Sequence, residues 1–429
     1  MSEYRGYTGR SLTLLKDCKA KVGDTVRITG ELTYTGILMP RYEYNDDEHI
    51  VLKLKSGYNV GIKINEIKKI EVLSLNEIKK ERPQSLPRNS SLPKVLLLST
   101  GGTIASKIDY RTGGVTPALT ASELHGTIPE LSEIANIDTE VLFSEYSENL
   151  LPEHWKKIAE KLDSYAKSDY KGIIIAHGTD TMQYTASFLS FALASFPIPI
   201  ALVGSQRSSD RPSSDATLNL ISAIRFVIEC NVRGIFVVMH HNESDDLIAC
   251  HLGTRVRKIH TSKRSAFQTI GGDPAFLILD KKIQKNLEHE YFKNKNYSPK
   301  INYDTHVVLV KYYPGFDPKL LTTIIELGYK AIIFEGTGLG HIGKTLYESV
   351  KKAKERGLFL GMTSQCIDGR VRMTVYESGR DLLNLGVIPL DNMIPETALV
   401  KAMWALGNTK NVDEMKSLML ENIASEITN

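Results

Sequence analysis

Two short stretches each place a threonine hydroxyl in a glycine-containing turn. They are Thr100-Gly101-Gly102-Thr103-Ile104-Ala105-Ser106, directly after Val95-Leu96-Leu97-Leu98, and His177-Gly178-Thr179-Asp180-Thr181, directly after Ile173-Ile174-Ile175. Each apolar run reads as a buried strand, so each threonine falls at a strand's carboxyl end, where ligands sit in an open α/β sheet. A hydroxyl there can attack a carbonyl carbon, and bare glycine backbone lets N–H groups approach the oxyanion that forms. A lone threonine in a turn is usually occupied by local hydrogen bonds to backbone. Two in matched turns of consecutive sheet crossings are hard to explain by packing, and the chemistry they suit is hydrolysis of an amide.

The elements that must hold these turns are legible as alternating pieces. Residues 95–99, 172–176, 199–204 and 234–239 are strand-like, and 155–165, 181–195 and 216–229 helix-like. Strands alternating with helices of this length imply right-handed βαβ units on a parallel sheet. A Lys- and Asn-rich stretch at 281–300 precedes a second α/β set, with strands expected at 306–311, 331–335 and 358–362 and helices at 318–327 and 344–354. Residues up to about 73 differ. Four short β-rich runs near Thr25, Leu32, Ile50 and Asn59, separated by Gly23-Asp24, Asn45-Asp46-Asp47 and Ser56-Gly57, suggest a small all-β barrel. The Pro/Ser-rich stretch 81–91 has the character of a tether. The expected division is a barrel at 1–80, a linker at 81–93, a larger α/β domain with the threonines at 94–290, and a smaller α/β domain at 300–429.

Composition narrows the function classes. A chain of 429 residues exceeds one ordinary core, and its 42% apolar and 24% charged residues are those of a globular protein. The net charge of +3 is too small to argue for a nucleic-acid partner by electrostatics alone, and no basic stripe interleaved with aromatics stands out. No apolar run has the length of a membrane span and the first residues lack a signal-peptide core, so a cytoplasmic protein is expected. Cys18, Cys230, Cys250 and Cys366 lie far apart, without metal-type spacing, and are expected to be reduced, buried and structural.

The two threonine motifs, in this order and spacing, resemble the L-asparaginase/glutaminase family. Gly204-Ser205-Gln206-Arg207 with Arg211-Pro212-Ser213-Ser214-Asp215-Ala216 is similar to that family's loop and following helix. Gly253-Thr254-Arg255-Val256-Arg257-Lys258 is similar to its lysine-bearing segment, and Ser147-Glu148-Asn149 to its substrate-carboxylate loop. The resemblance spans about residues 94–410. A β-rich module and tether ahead of such a body resemble the D-type subunits of the archaeal tRNA-dependent amidotransferases. There the D-type chain frees ammonia from glutamine, and an E-type partner uses ATP and Mg to activate and amidate Glu-tRNA(Gln). The resemblance thus implies a glutaminase without a cofactor of its own, a homodimer within a larger assembly, and glutamine or asparagine as substrate. A stand-alone asparaginase is the alternative.

Within that resemblance, Thr103 is the candidate attacking oxygen, although the family leaves open which threonine attacks. Thr179 is the second hydroxyl, and Lys258 with Asp180 completes the proton-handling set. A neighbouring carboxylate keeps such a lysine charged, desolvation drives it neutral, and only the neutral amine is a base. Asp180 has two compatible readings, an N-cap of the helix beginning near Thr181 and a partner for a substrate ammonium. Ser147 and Glu148 are the candidates for the substrate's α-carboxylate and α-amino ends. Gly102, in the catalytic turn, and Tyr110, in what is similar to the family's mobile lid, are further candidates for binding the substrate. The dimer-completing acid of the family has Glu377 as its candidate.

Three other signals carry less. Gly336-Thr337-Gly338-Leu339-Gly340-His341 lacks the spacing of a dinucleotide loop and reads as a close-packed turn. His240 and His241 point to opposite faces of a strand, so they cannot easily share one metal ion. Ser205 and the serines between 209 and 214 lie in no G-x-S-x-G elbow and more plausibly satisfy loop backbone.

Overall fold

The computed structural model describes residues 3, 4, 6–41, 46–75, 89–102, 104, 106–109, 114–117, 128, 130–207, 213–280, 282–286 and 296–428, with 106–109 and 114–117 as backbone alone. The expected tether at 81–91 falls largely outside them, as does most of 281–295.

The amino-terminal part opens with a nine-residue helix, Gly9–Asp17, which the sequence pattern did not suggest. Five antiparallel strands follow: β1 (Thr25–Thr29), β2 (Thr33–Leu38), β3 (His49–Leu54), β4 (Asn59–Lys63) and β5 (Lys69–Ser74), paired in the order β4-β3-β2-β1-β5. Alternation places Val26 and Ile28, Leu38, Ile50 and Leu52, and Ile62 on one buried face, with Leu15 of the helix packed among them. The four runs read from the sequence are β1 to β4. The fifth, Lys-Ile-Glu-Val-Leu-Ser, has Ile70 and Val72 only half-buried and Leu73 exposed, and signals itself less clearly.

The central sheet is mixed. It contains β6 (Lys94–Gly101), β9 (Asn136–Glu145), β10 (Gly172–Ala176), β11 (Pro199–Val203), β12 (Gly234–His240), β13 (Leu247–Leu252), β16 (Phe276–Leu279) and β17 (Lys282–Lys285), in the order β17-β16-β13-β12-β11-β10-β6-β9. From β9 to β12 all neighbours are parallel. β10 and β11 are buried at every residue, which is why they read as unbroken apolar runs. Beyond β12 the sheet continues antiparallel through β13, β16 and β17, an extension that the βαβ pattern did not announce because no helix lies between its strands. Two small ribbons lie outside this sheet: β7 (Ser106–Asp109) with β8 (Gly114–Pro117), and β14 (Val256–Lys258) with β15 (Phe267–Thr269).

The carboxyl-terminal sheet is parallel throughout, β18 (Val307–Lys311), β19 (Ala331–Gly336), β20 (Phe359–Ser364) and β21 (Ile388–Pro389) in sequential order. Helix Pro395–Asn408 returns from it to pack on helix Met182–Ala192, where Phe191 and Trp404 stack with centroids 5.7 Å apart. One apolar core therefore runs from Trp155 and Phe188 to Ile333 and Phe359, tying the two sheets together. A second fills the opposite face of the central sheet around Phe226, Phe236 and Phe276.

The Gly336–His341 segment is a tightly packed turn. A Cβ at Gly340 would lie 2.5 Å from Val371 Cγ1, and Gly340 holds φ of +99°. All four cysteines are free, but only Cys250 is fully buried; Cys18 and Cys230 are half-buried, and Cys366, on the loop after β20, is exposed. That exposure corrects the expectation of four buried thiols. No helix among the described residues is long and apolar enough to cross a membrane.

Candidate active site

The carboxyl ends of β6, β10 and β11 lie side by side, since β10 pairs with both others in parallel register. Gly101 and Gly102 leave β6 with φ of +113° and +83°, a left-handed path that a side chain would resist. Gly102 runs into the second turn: a Cβ there would come within 2.5 Å of Gly178 N. The buried Thr100 hydroxyl donates to Ala176 O at 2.9 Å, pinning the first strand end to the second. Thr103 and Tyr110 lie outside the described residues.

After β10, His177 is wholly buried, with Nδ1 2.6 Å from Gly178 O and Nε2 2.9 Å from Thr185 Oγ1. Burial lowers its pKa to about 4, so the imidazole is a neutral strut that shapes the turn carrying Thr179. Gly204, at the end of β11, closes the far side. A Cβ on it would meet Thr179 Cγ2 and His177 O at 2.8 Å. Asp215, fully buried, keeps the chain after Gly204 in place by accepting from Gln206 N and Arg207 N at 3.0 Å. Ser214 Oγ donates to Arg207 O at 2.9 Å, as expected of a loop-satisfying serine; residues 208–212 are outside the described set.

Lys258, the last residue of β14, reaches into this cluster. Its Nζ is 2.8 Å from Thr179 Oγ1 and 2.7 Å from Asp180 Oδ1. The lysine side chain is 9% exposed and that of Asp180 is 64% exposed, so the amine is enclosed while the carboxylate stands at the opening. Asp180 is not the N-cap. Thr181 occupies that position without a side-chain capping bond, and the Asp180 carboxylate turns to Lys258 instead.

Ser147 begins the one-turn helix Ser147–Asn149 and is buried against the same turn. Its Oγ accepts from Asp180 N at 3.3 Å, its O accepts from Thr181 Oγ1 at 2.7 Å, and a Cβ on Gly178 would meet its Cβ at 2.8 Å. Glu148 next to it is exposed. The structure thus gathers Gly102, Ser147, Thr179, Asp180 and Lys258. Glu377 opens the exposed end of helix Glu377–Asn384, away from these contacts. His240 is held by Asn219 Oδ1 at 2.6 Å, an internal polar contact behind the Asp215 loop.

Spacing along the sequence did not point to the supports. Besides His177, the segment 253–257 is held by Ser187 Oγ donating to Gly253 O at 3.1 Å, Thr397 Oγ1 donating to Thr254 O at 2.8 Å, and Arg257 Nε at 2.8 Å from Glu396 Oε1. The motif around Lys258 contains Arg255 and Thr254, but their partners are too distant in the chain to be suggested by local pattern.

Comparison with known proteins identifies the family. Residues 94–291 match the family "Asparaginase, N-terminal", 306–419 the "Glutaminase/Asparaginase C-terminal domain", and 20–73 the "GatD N-terminal domain". Among solved structures, the thermostable L-asparaginase from Thermococcus kodakarensis is 34% identical with a TM-score of 0.72, covering 78% of this chain and 99% of that one. L-asparaginase I from Vibrio cholerae is 25% identical with a TM-score of 0.68, covering 79% and 100%. The D-type subunit of glutamyl-tRNA(Gln) amidotransferase from Pyrococcus furiosus is 47% identical, with 96% of both chains covered. Its counterpart from Metallosphaera sedula is 45% identical over 98% of this chain and 96% of its own. An asparaginase body joined to a GatD-type amino-terminal domain, with relatives 45–47% identical over nearly the whole chain, makes this chain a member of the family of D-type subunits of glutamyl-tRNA(Gln) amidotransferase.

Proposed function

We propose that the chain is the glutaminase component of a tRNA-dependent amidotransferase, hydrolysing the side-chain amide of glutamine to glutamate and ammonia. The ammonia goes to an E-type partner that uses ATP and Mg to convert Glu-tRNA(Gln) to Gln-tRNA(Gln). The observation that carries the reading is the enclosed amine of Lys258, whose Nζ lies within hydrogen-bond reach of both Thr179 and Asp180.

The chemistry follows from the groups available. A threonine oxygen, Thr103 in our assignment, adds to the amide carbon, and backbone N–H groups of the glycine turns receive the oxyanion. The tetrahedral intermediate expels ammonia once its nitrogen gains a proton, and water then cleaves the resulting ester to release glutamate. Thr179 and Lys258 form the path along which protons are taken up and returned, with Asp180 fixing the amine. The mostly exposed Asp180 carboxylate has room to receive a substrate α-ammonium as well. Ser147 and Glu148 border that end and are assigned, with Tyr110, to binding the substrate. The chain works as a homodimer in the cytoplasm, with modules at 1–80, 94–290 and 300–429 joined by a linker at 81–93. The matched family segments lie within these bounds to within one residue.

The test is ammonia release from glutamine and from asparagine by the chain alone, then with the E-type partner, ATP, Mg and glutamyl-tRNA(Gln). Stimulation by charged tRNA is the expected result. Full activity on asparagine, indifferent to partner and tRNA, would overturn it in favour of a stand-alone asparaginase.

A further inference from the structure

Lys258 has an unusual footing. β14 is not part of the eight-stranded sheet but of a three-residue ribbon with β15, so the ladder that fixes Thr179 does not fix the amine facing it. Its position depends on the segment immediately before it, and that segment is bonded to the far end of the chain. Thr254 Oγ1 donates to Ala424 O at 2.7 Å. Arg255, 2% exposed, donates through Nη1 to Glu426 O at 3.1 Å and Asn392 O at 2.7 Å, and through Nη2 to Ile270 O at 2.5 Å.

The tail from residue 421 to 428 has no regular secondary structure of its own, yet it is locked from within. Lys401, on helix Pro395–Asn408, donates to Met419 O at 3.1 Å, Glu421 O at 2.5 Å and Glu426 Oε1 at 2.5 Å, which uses all three ammonium protons. The Glu426 carboxylate also accepts from Ile423 N at 3.0 Å and Ala424 N at 2.7 Å. Both charged side chains are fully buried. A buried pair is a weak source of stability compared with apolar packing, but its directional bonds fix register. Register matters here, because the carbonyls offered to Thr254 and Arg255 come from Ala424 and Glu426 specifically. A slip of one residue would withdraw both.

We propose that the carboxyl-terminal tail, locked by Lys401 and Glu426, is a clamp that holds Lys258 Nζ at Thr179 and Asp180. Lys401, Glu426, Thr254 and Arg255 are positioning residues, acting on the reaction through Lys258 alone. This inference rests on the role given to Lys258 above.

The experiment measures kcat and KM for ammonia release from glutamine in the complete complex, for Thr254→Val, Glu426→Gln, Lys258→Met and the Thr254→Val/Lys258→Met pair. Misplacing a reacting group by an ångström costs up to about a hundredfold, so Glu426→Gln is expected to lower kcat about tenfold or more and Thr254→Val somewhat less, with KM within about twofold. In the Lys258→Met background Thr254→Val should change nothing further. If Glu426→Gln fails to fold, Thr254→Val, which leaves the ion pair intact, decides alone. Wild-type kcat in folded Thr254→Val overturns the clamp, as does an equal loss with and without Lys258. Wild-type kcat in Lys258→Met overturns instead the site reading beneath it.

Discussion

Gly102 and Gly178 meet backbone to backbone where the two threonine turns converge, so closely that a Cβ on Gly102 would sit 2.5 Å from Gly178 N and 2.7 Å from His177 C. Neither contact atom belongs to a flexible side chain, and Gly102 also holds φ of +83°. Gly102→Ala must therefore spread the turns apart as well as strain its own backbone, at a cost of about 1–3 kcal/mol. We expect the variant to remain folded by circular dichroism with a lowered melting temperature. Its glutaminase kcat should fall about a hundredfold, because the opposed groups separate by a substantial part of an ångström. A kcat within twofold of wild type would show that the approach of the turns is not needed.

Thr179, Asp180 and Lys258 should separate kinetically. Lys258→Met removes the amine from the proton path without opening the site, so kcat should drop about a thousandfold with KM little changed. Thr179→Val keeps the shape and removes the hydroxyl, with a loss of the same order. Asp180→Asn, at a carboxylate that is 64% exposed and faces the opening, should raise KM as well as lower kcat. Steady-state kinetics on glutamine check all three. An unchanged KM in Asp180→Asn would remove its proposed contact with the substrate ammonium.

Thr179 and Asp180 stood out in the sequence because they sit at a landmark, the end of an apolar strand followed by glycine, whereas Lys258 was singled out only by the resemblance of residues 253–258 to an asparaginase segment. The parallel strands β6, β10, β11 and β12 were legible because each carries an unbroken run of buried apolar residues. What was not legible depends on partners remote in the chain. Arg255 bonds to residues 137 and 171 positions away, and nothing local distinguishes it from Arg257 two residues later. Asp180 misled in the opposite way: a carboxylate just ahead of a helix has the local signature of a cap, and only the tertiary arrival of Lys258 redirects it. The antiparallel strands β13, β16 and β17 escaped because no helix separates them, where the βαβ pattern calls for helices: short turns and the β14–β15 ribbon join them instead.

His177 gives a pH dependence with a definite sign. Its pKa falls from 6.5 in the unfolded chain to about 4 in the folded one through burial. Between those values the unfolded state binds a proton that the folded state does not. Its contribution is complete above about pH 6.5, is lost as pH falls toward 4, and levels off below that; the full shift corresponds to about 3 kcal/mol. His251, lowered to about 3 by burial, acts in the same direction over a wider range. Denaturant unfolding at steps from pH 7 to 4 should show stability falling with acid. His177→Gln, which retains a side chain able to bond Thr185, should flatten that slope by up to one proton. An identical slope in the variant would mean that His177 is protonated in the folded state.

The amino-terminal module should be dispensable for amide hydrolysis and indispensable for its control. Every residue assigned to the reaction lies between 102 and 258, outside the module, and 78% of this chain suffices to cover 99% of the Thermococcus kodakarensis asparaginase. The module nevertheless touches the body close to the site, with Tyr58 OH 3.3 Å from Ser213 Oγ. Ser213 lies two residues before Asp215, whose carboxylate fixes Gln206 and Arg207 beside Gly204 and Thr179. Deleting residues 1–88 should leave basal glutaminase kcat within about twofold, since no assigned group is removed. The stimulation by partner and glutamyl-tRNA(Gln) should disappear. Tyr58→Phe, which keeps the ring and loses the hydroxyl, should weaken that stimulation without changing the basal rate. Ammonia release measured with and without charged tRNA reads both quantities from one preparation, and full stimulation of the truncated chain would assign control to the body alone.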